Sequence, residues 1–249
     1  MSVELIPINK AMHLKTKIKA SNSFDHVKNQ HLTSLCIHEI SQAASYYPVV
    51  FIKDSGADEL RLVAALGLQA GENLFYQTGT WHESYIPVNV LRYPFGAIGS
   101  NQEEKGFTVC IDKNSKLINE SVGHALFDEN GGESEYLTSM VKYLTDVITK
   151  EILTKKFIEE LVELNLLKSN AFTLTTVTGE KHKIDGVYTV DEEKLKNLTD
   201  EQVLSFHKRG FFSTIYSHLT SLAQFNRLVT IKSKLDAINR NSDKKIITH

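Results

Sequence analysis

Cysteine, proline and long apolar runs are scarce in these 249 residues, and each scarcity excludes something. The two cysteines, Cys36 and Cys110, sit in alternating apolar runs that read as strands, where a thiol behaves as a small hydrophobe. They are expected buried and reduced, a disulfide or a reactive thiol being the alternatives. The longest stretch free of Asp, Glu, Lys and Arg, from Gly210 to Asn226, is too short and too polar for the roughly 20 apolar residues of a membrane span. The start, from Met1 to Lys10, lacks the basic segment, apolar core and cleavage site of a secretory signal, so a cytoplasmic protein is expected. A net charge of -2 supplies no field for holding phosphates, and no nucleic acid is expected as a partner.

Catalytic and cofactor signatures are missing too. No Gly-x-Ser-x-Gly elbow, dinucleotide fingerprint or phosphate loop occurs, and the glycines at 67, 71 and 79 read as turn residues. His38-Glu39 and His82-Glu83 are adjacent pairs whose side chains diverge on helix or strand, so no metal site is expected, and no cofactor. What remains is an ordinary folded composition, 41% hydrophobic and 23% charged, with no tract that points to disorder.

All four prolines, Pro7, Pro48, Pro87 and Pro94, fall before residue 100, and the composition changes after them. Val3 to Ile8, Leu32 to Ile37, Val49 to Lys53, Leu60 to Leu68 and Phe107 to Asp112 are β-branched or alternating and read as strands. Short helices are expected at His38 to Tyr46, stopped by Pro48, and after Pro87. From Glu133 the period shifts to three and four residues, predicting a long amphipathic helix over 133–167 with a break near Thr154. Phe172 to Thr176 and Ile184 to Val190 alternate around Thr178-Gly179 and predict a β-hairpin. Asp191 caps a short helix, Thr199 and Gln202 have the spacing of a capping box, and a last helix is expected from Phe211 to Leu235 with a frayed tail beyond Asn239. The fold class is α+β: a mixed or antiparallel sheet with short helices in residues 1–130, and helices around a hairpin in 131–249, packed together as one unit.

The most distinctive stretch is aromatic and runs from Tyr46 to Phe95. Glu72 and Asn73 lie beside Leu74 and Phe75, and Trp81 and Tyr85 precede Arg92, Tyr93 and Phe95. Aromatic rings with a few polar groups suit a ligand pocket, and the same residues suit a core whose turn amides are capped by Glu72 and Asn73. Arg92 could hold a carboxylate or phosphate, or form a structural ion pair.

The motifs Tyr47-Pro48-Val49-Val50-Phe51, Leu66-Gly67-Leu68, Gly71-Glu72-Asn73-Leu74-Phe75, Gly79-Thr80-Trp81, Tyr85-Ile86-Pro87 and Arg92-Tyr93-Pro94-Phe95 resemble the bacterial SapC family in order and spacing. So do Cys110-Ile111-Asp112, Leu126-Phe127-Asp128-Glu129 and Asp185 to Glu192. The resemblance covers about residues 3 to 230. It implies a link to the bacterial surface layer and to outer-membrane receptors, and brings no established reaction or catalytic residue. Leu91 and Thr80 depart from the commoner basic or polar residues there, which weakens any strongly basic pocket. The resulting expectation is non-catalytic binding of a peptide, protein or small molecule by Glu72, Asn73, Trp81, Tyr85, Arg92, Tyr93 and Phe95. The alternatives are an enzyme using Glu72 or Asp112 as general base with Arg92 holding an anion, or a homo-oligomeric accessory joined through its amphipathic helices.

Overall fold

The structure, a computed structural model, describes residues 3–53, 59–99 and 106–246. Met1 and Ser2 of the start and the last three residues of the tail lie outside the described residues. The chain opens with β1 (Leu5–Pro7), α1 (Lys10–His13) and β2 (Lys17–Ile18). After a 3₁₀ turn at Asp25–Val27 comes β3 (Leu32–Ser34), then a second 3₁₀ turn at Ile37–Glu39 that runs into α2 (Ile40–Ala43). β4 (Val49–Lys53), β5 (Leu60–Ala65), the ribbon β6 (Tyr76–Gln77) and β7 (Thr80–Trp81), and α3 (Val88–Leu91) lead to β8 (Phe95–Gly99) and β9 (Phe107–Asp112). Two-residue strands β10 (Ile118–Asn119) and β11 (His124–Ala125) precede α4 (Glu135–Glu163). The rest is the hairpin β12 (Leu167–Thr175) and β13 (Lys181–Val190), α5 (Glu192–Leu195), α6 (Asp200–Lys208), α7 (Phe211–Ser221) and α8 (Gln224–Ile246).

The central antiparallel sheet has the order β12-β13-β4-β5-β3, so it takes strands from both sides of residue 130. Tyr188 pairs with Phe51 and Phe51 with Leu62, which puts three side chains in line on one face. A second sheet, β1-β9-β8, sets Ile111 between Ile6 and Phe95. β2 lies between β10 and β11. The α+β class read from the sequence is the one observed.

α4 is one uninterrupted helix. The Ser134 hydroxyl accepts the Leu137 amide at 3.1 Å and starts it, and Glu135 favours the positive end of its dipole. The break expected near Thr154 does not occur. The buried Thr154 hydroxyl donates to the Lys150 carbonyl at 2.7 Å and accepts the Ile37 amide at 2.8 Å, so it fastens the helix to the second 3₁₀ turn. Leu137 and Leu144 face one apolar cluster and Phe157, Ile158 and Leu161 another, whereas Ile152 and Val162 are exposed. Asp191, Thr199 and Gln202 cap α5 and α6 at the positions their spacing predicts. The last helix differs from expectation: the chain turns at Leu222 and Ala223 and divides it into α7 and α8, and α8 continues to Ile246 past the predicted fray.

Cys36 also departs from its predicted strand. It sits at the N-cap of the second 3₁₀ turn, buried, and its thiol is free, as is that of Cys110. Burial first, then the negative charge of Glu39, pushes the Cys36 thiol up to about 12.

Candidate functional site

Among the residues of the aromatic stretch, Trp81 is the most deeply committed. β7 pairs it with Tyr76, and it is 6% exposed, with Phe24 edge-on at 6.0 Å and Phe75 stacked at 6.2 Å. Its indole N–H donates to the Tyr47 hydroxyl at 3.0 Å, and that hydroxyl donates to the Tyr85 carbonyl. The Tyr85 hydroxyl in turn donates to Glu39 Oε1 at 2.6 Å. Burial raises the pKa of both phenols, and for Tyr85 the bond to Glu39 adds to it, so both stay protonated and act as donors.

Glu39 closes this chain of contacts. It is buried, and its two oxygens accept the Cys36 amide at 2.8 Å, the Tyr85 hydroxyl and the Val88 amide at 2.8 Å. Three donors hold one carboxylate, which ties the second 3₁₀ turn to the start of α3. Sequence reasoning saw Glu39 only as half of an adjacent His-Glu pair. The Cys36-to-Glu39 spacing of a capping box was the signal that could have found it, hidden because cysteine is an unusual cap.

Glu72 and Asn73 shape the turn between β5 and β6. Glu72 accepts the Leu68 amide at 2.9 Å and pairs with Lys232 of α8 at 2.8 Å, and this contact raises the Lys232 pKa. Asn73 donates to the Val27 carbonyl at 2.9 Å and accepts the Phe75 amide at 3.0 Å. Gly67 is required here: a Cβ at this position would come within 2.4 Å of the Glu72 carbonyl oxygen. Phe95 is buried in the other cluster, 6.0 Å from the Tyr136 ring.

Arg92 and Tyr93 are adjacent and half-buried. Arg92 follows α3 and bonds Glu151 of α4 at 3.0 Å, its own side chain 26% exposed. Tyr93 stacks on His26 with centroids 4.1 Å apart and an angle of 6°, and its hydroxyl donates to Asp112 Oδ2 at 3.2 Å. His26 donates through Nε2 to the Val90 carbonyl at 3.1 Å, and burial lowers its pKa. Asp112, also buried, accepts the Glu4 amide at 3.0 Å and the Asn114 amide at 3.2 Å through its other oxygen. Leu91, next in the chain, is 51% exposed.

The expected site residues therefore divide. Trp81, Tyr85, Asn73 and Phe95 hold parts of the interior, the first two through Tyr47 and Glu39. Glu72 and Asp112 have separate sets of partners, and Arg92 pairs with neither. Arg92 and Tyr93 are half-buried, Arg92 oriented by Glu151 and Tyr93 by Asp112 and His26. Among the described residues no three His, Cys, Asp or Glu side chains gather as a metal site, and no helix is long and apolar enough to cross a membrane.

A scan of protein-family models places residues 8–228 in the family described as SapC, so the chain belongs to the SapC family. No curated protein and no solved structure matches it.

Proposed function

We propose that this member of the SapC family is a non-catalytic binding or accessory protein, acting in surface-layer or outer-membrane uptake processes. Its recognition surface is centred on Arg92 and Tyr93, and its partner is a peptide or protein. The observation that supports this reading is the fixed presentation of those two side chains. Arg92 is held by Glu151 and Tyr93 by Asp112 and His26, so a guanidinium and a phenol stand oriented at the surface beside the exposed Leu91. Groups already ordered lose little conformational entropy on binding, and Tyr and Arg are the residue types that dominate interface energetics. The interior residues Trp81, Tyr85, Asn73 and Phe95 act as the scaffold that sets this surface. Cytoplasmic residence with Cys36 and Cys110 as thiols belongs to the same proposal.

Proximity labelling in the native cell tests it, with the wild-type chain compared against Leu91→Asp and Arg92→Glu. The expected result is a cytoplasm-facing peptide or protein partner belonging to the surface-layer or uptake process that both variants lose while their circular dichroism is unchanged. An identical labelled set from all three chains would end the proposal.

A further inference from the structure

A cavity of about 400 Å³ opens between α4 and the end of the central sheet, and none of the residues that hold Arg92 and Tyr93 lines it. That volume is within the ~300–1,000 Å³ common for small-molecule sites. α4 lines it with Lys155, Ile158, Glu159 and Val162, positions i, i+3, i+4 and i+7, which fall on one side of a helix. Opposite them are Leu60 of β5 and Tyr188 of β13. These two share a face of the sheet, because Lys53 pairs with Leu60 and Phe51, two residues away, pairs with Tyr188.

The lining combines the apolar Leu60, Ile158, Val162 and Leu167 with charges of both signs, Lys53 of β4 and Glu59 just before β5, and Lys155 and Glu159 of α4. Ile158 is nearly buried, and Val162 is left 52% exposed against the cavity, although it is a large aliphatic residue. Lys155 bonds Glu59 at 3.0 Å, with the two side chains 57% and 62% exposed. Such an exposed pair is held weakly and can exchange Glu59 for the carboxylate of a ligand. One helical turn along, Glu159 brings the opposite charge to the same side.

We propose that this cavity binds small apolar zwitterions, the class of apolar amino acids and their dipeptides. The apolar side chain lies against Leu60, Ile158 and Val162, the carboxylate meets Lys155, and the ammonium meets Glu159. A ligand with one charge would leave either Lys155 or Glu159 without a ligand contact. This proposal does not rest on the Arg92–Tyr93 surface.

Titration calorimetry on the full chain tests it with L-leucine and leucyl-leucine, and with hexanoate and hexylamine as single-charge probes. Saturable binding is expected for the zwitterions, with each single-charge probe at least tenfold weaker. Val162→Trp fills the cavity from a half-exposed position and should abolish binding with the melting curve unchanged. Glu159→Lys reverses the ammonium contact and should weaken binding at least tenfold. Arg92→Glu should bind as the wild type does, which separates this site from the protein-binding surface. Absence of binding by both zwitterions would overturn the proposal. So would equal binding of hexanoate and leucine, or wild-type binding by either Val162→Trp or Glu159→Lys.

Discussion

Two hydrophobic clusters share α4, and they are built differently. The larger one surrounds the central sheet and joins Tyr47, Phe51, Leu62, Phe75, Trp81 and Phe157 to residues of α6, α7 and α8. The smaller one packs Ile18, Phe95, Ile111, Leu126 and Phe127 against Leu137 and Leu144, near the start of the helix. Buried polar groups tie the larger cluster together across long sequence distances: Glu39 reaches residues 85 and 88, and His218 reaches Val49 and Val190. The smaller cluster has Asp112 at its edge, gathering the Glu4 amide and the Tyr93 hydroxyl. Apolar burial supplies most of the stability of both, and the polar staples choose which elements meet.

The largest expected effect contrasts Trp81 with Leu137. Trp81→Ala removes a buried ring and the donor to Tyr47, and should cost about 3–5 kcal/mol in urea unfolding. Leu137→Ala should cost about 2–5 kcal/mol and, by loosening the smaller cluster, reduce hydrogen-exchange protection at Val109 and Ile111 more than at Phe51 and Leu62. Equal loss of protection at all four amides would show that the two clusters open as one. A Trp81→Ala cost below about 1 kcal/mol would remove Trp81 from the core account.

His218 tests the polar staples of the larger cluster by pH. The Val190 amide donates to its Nε2 at 3.1 Å, so the proton is on Nδ1, which donates to the Val49 carbonyl at 2.8 Å. The ring is therefore neutral, and burial pushes its pKa down to about 4. Between that value and the ordinary 6.5 the folded state binds fewer protons than the unfolded state. Its contribution is complete above pH ~6.5 and is lost as pH falls, by about 3 kcal/mol at pH 4. Urea midpoints from pH 7.5 to 4.5 should decline accordingly. A native imidazole signal that titrates near pH 6.5 would contradict the buried neutral assignment.

Smaller effects probe how α4 joins the two regions. Thr154→Val keeps the shape but leaves the Ile37 amide without its acceptor, at an expected cost of about 1–3 kcal/mol in urea unfolding. No measurable change would mean that the 3₁₀ turn finds another acceptor. Arg92→Ala breaks a partly exposed pair with Glu151 and should alter stability by about 1 kcal/mol or less, whatever it does to binding. A larger loss would make Arg92 a structural residue of α3 and weaken its place in the recognition surface.

Much of the local architecture could be read from the sequence. Thr199 and Gln202 form their capping box, Asp191 caps α5, and the alternation on either side of Thr178-Gly179 is the observed hairpin. Strands β4 and β9 have their predicted limits. The candidate site was less legible. The aromatic stretch was recognisable as a unit, yet the division between buried Trp81 and Phe95 and the half-exposed Arg92 and Tyr93 depends on which elements cover them. The break expected at Thr154 illustrates the same gap, because a mid-helix threonine weakens a helix locally and is justified here by an amide 117 positions earlier.

By itself the sequence determined the α+β class, the caps, the long helix and the family, because caps, turns and periodicity act between residues within a few positions of each other. Only the tertiary structure decided that β13 adds to β4, that Trp81 donates to Tyr47, that Glu39 gathers three donors and that His218 stays neutral between two strands. The physical reason is the range of the interaction. A buried polar group must find a partner, but its own sequence neighbourhood does not say which of many distant groups the packed elements will bring to it.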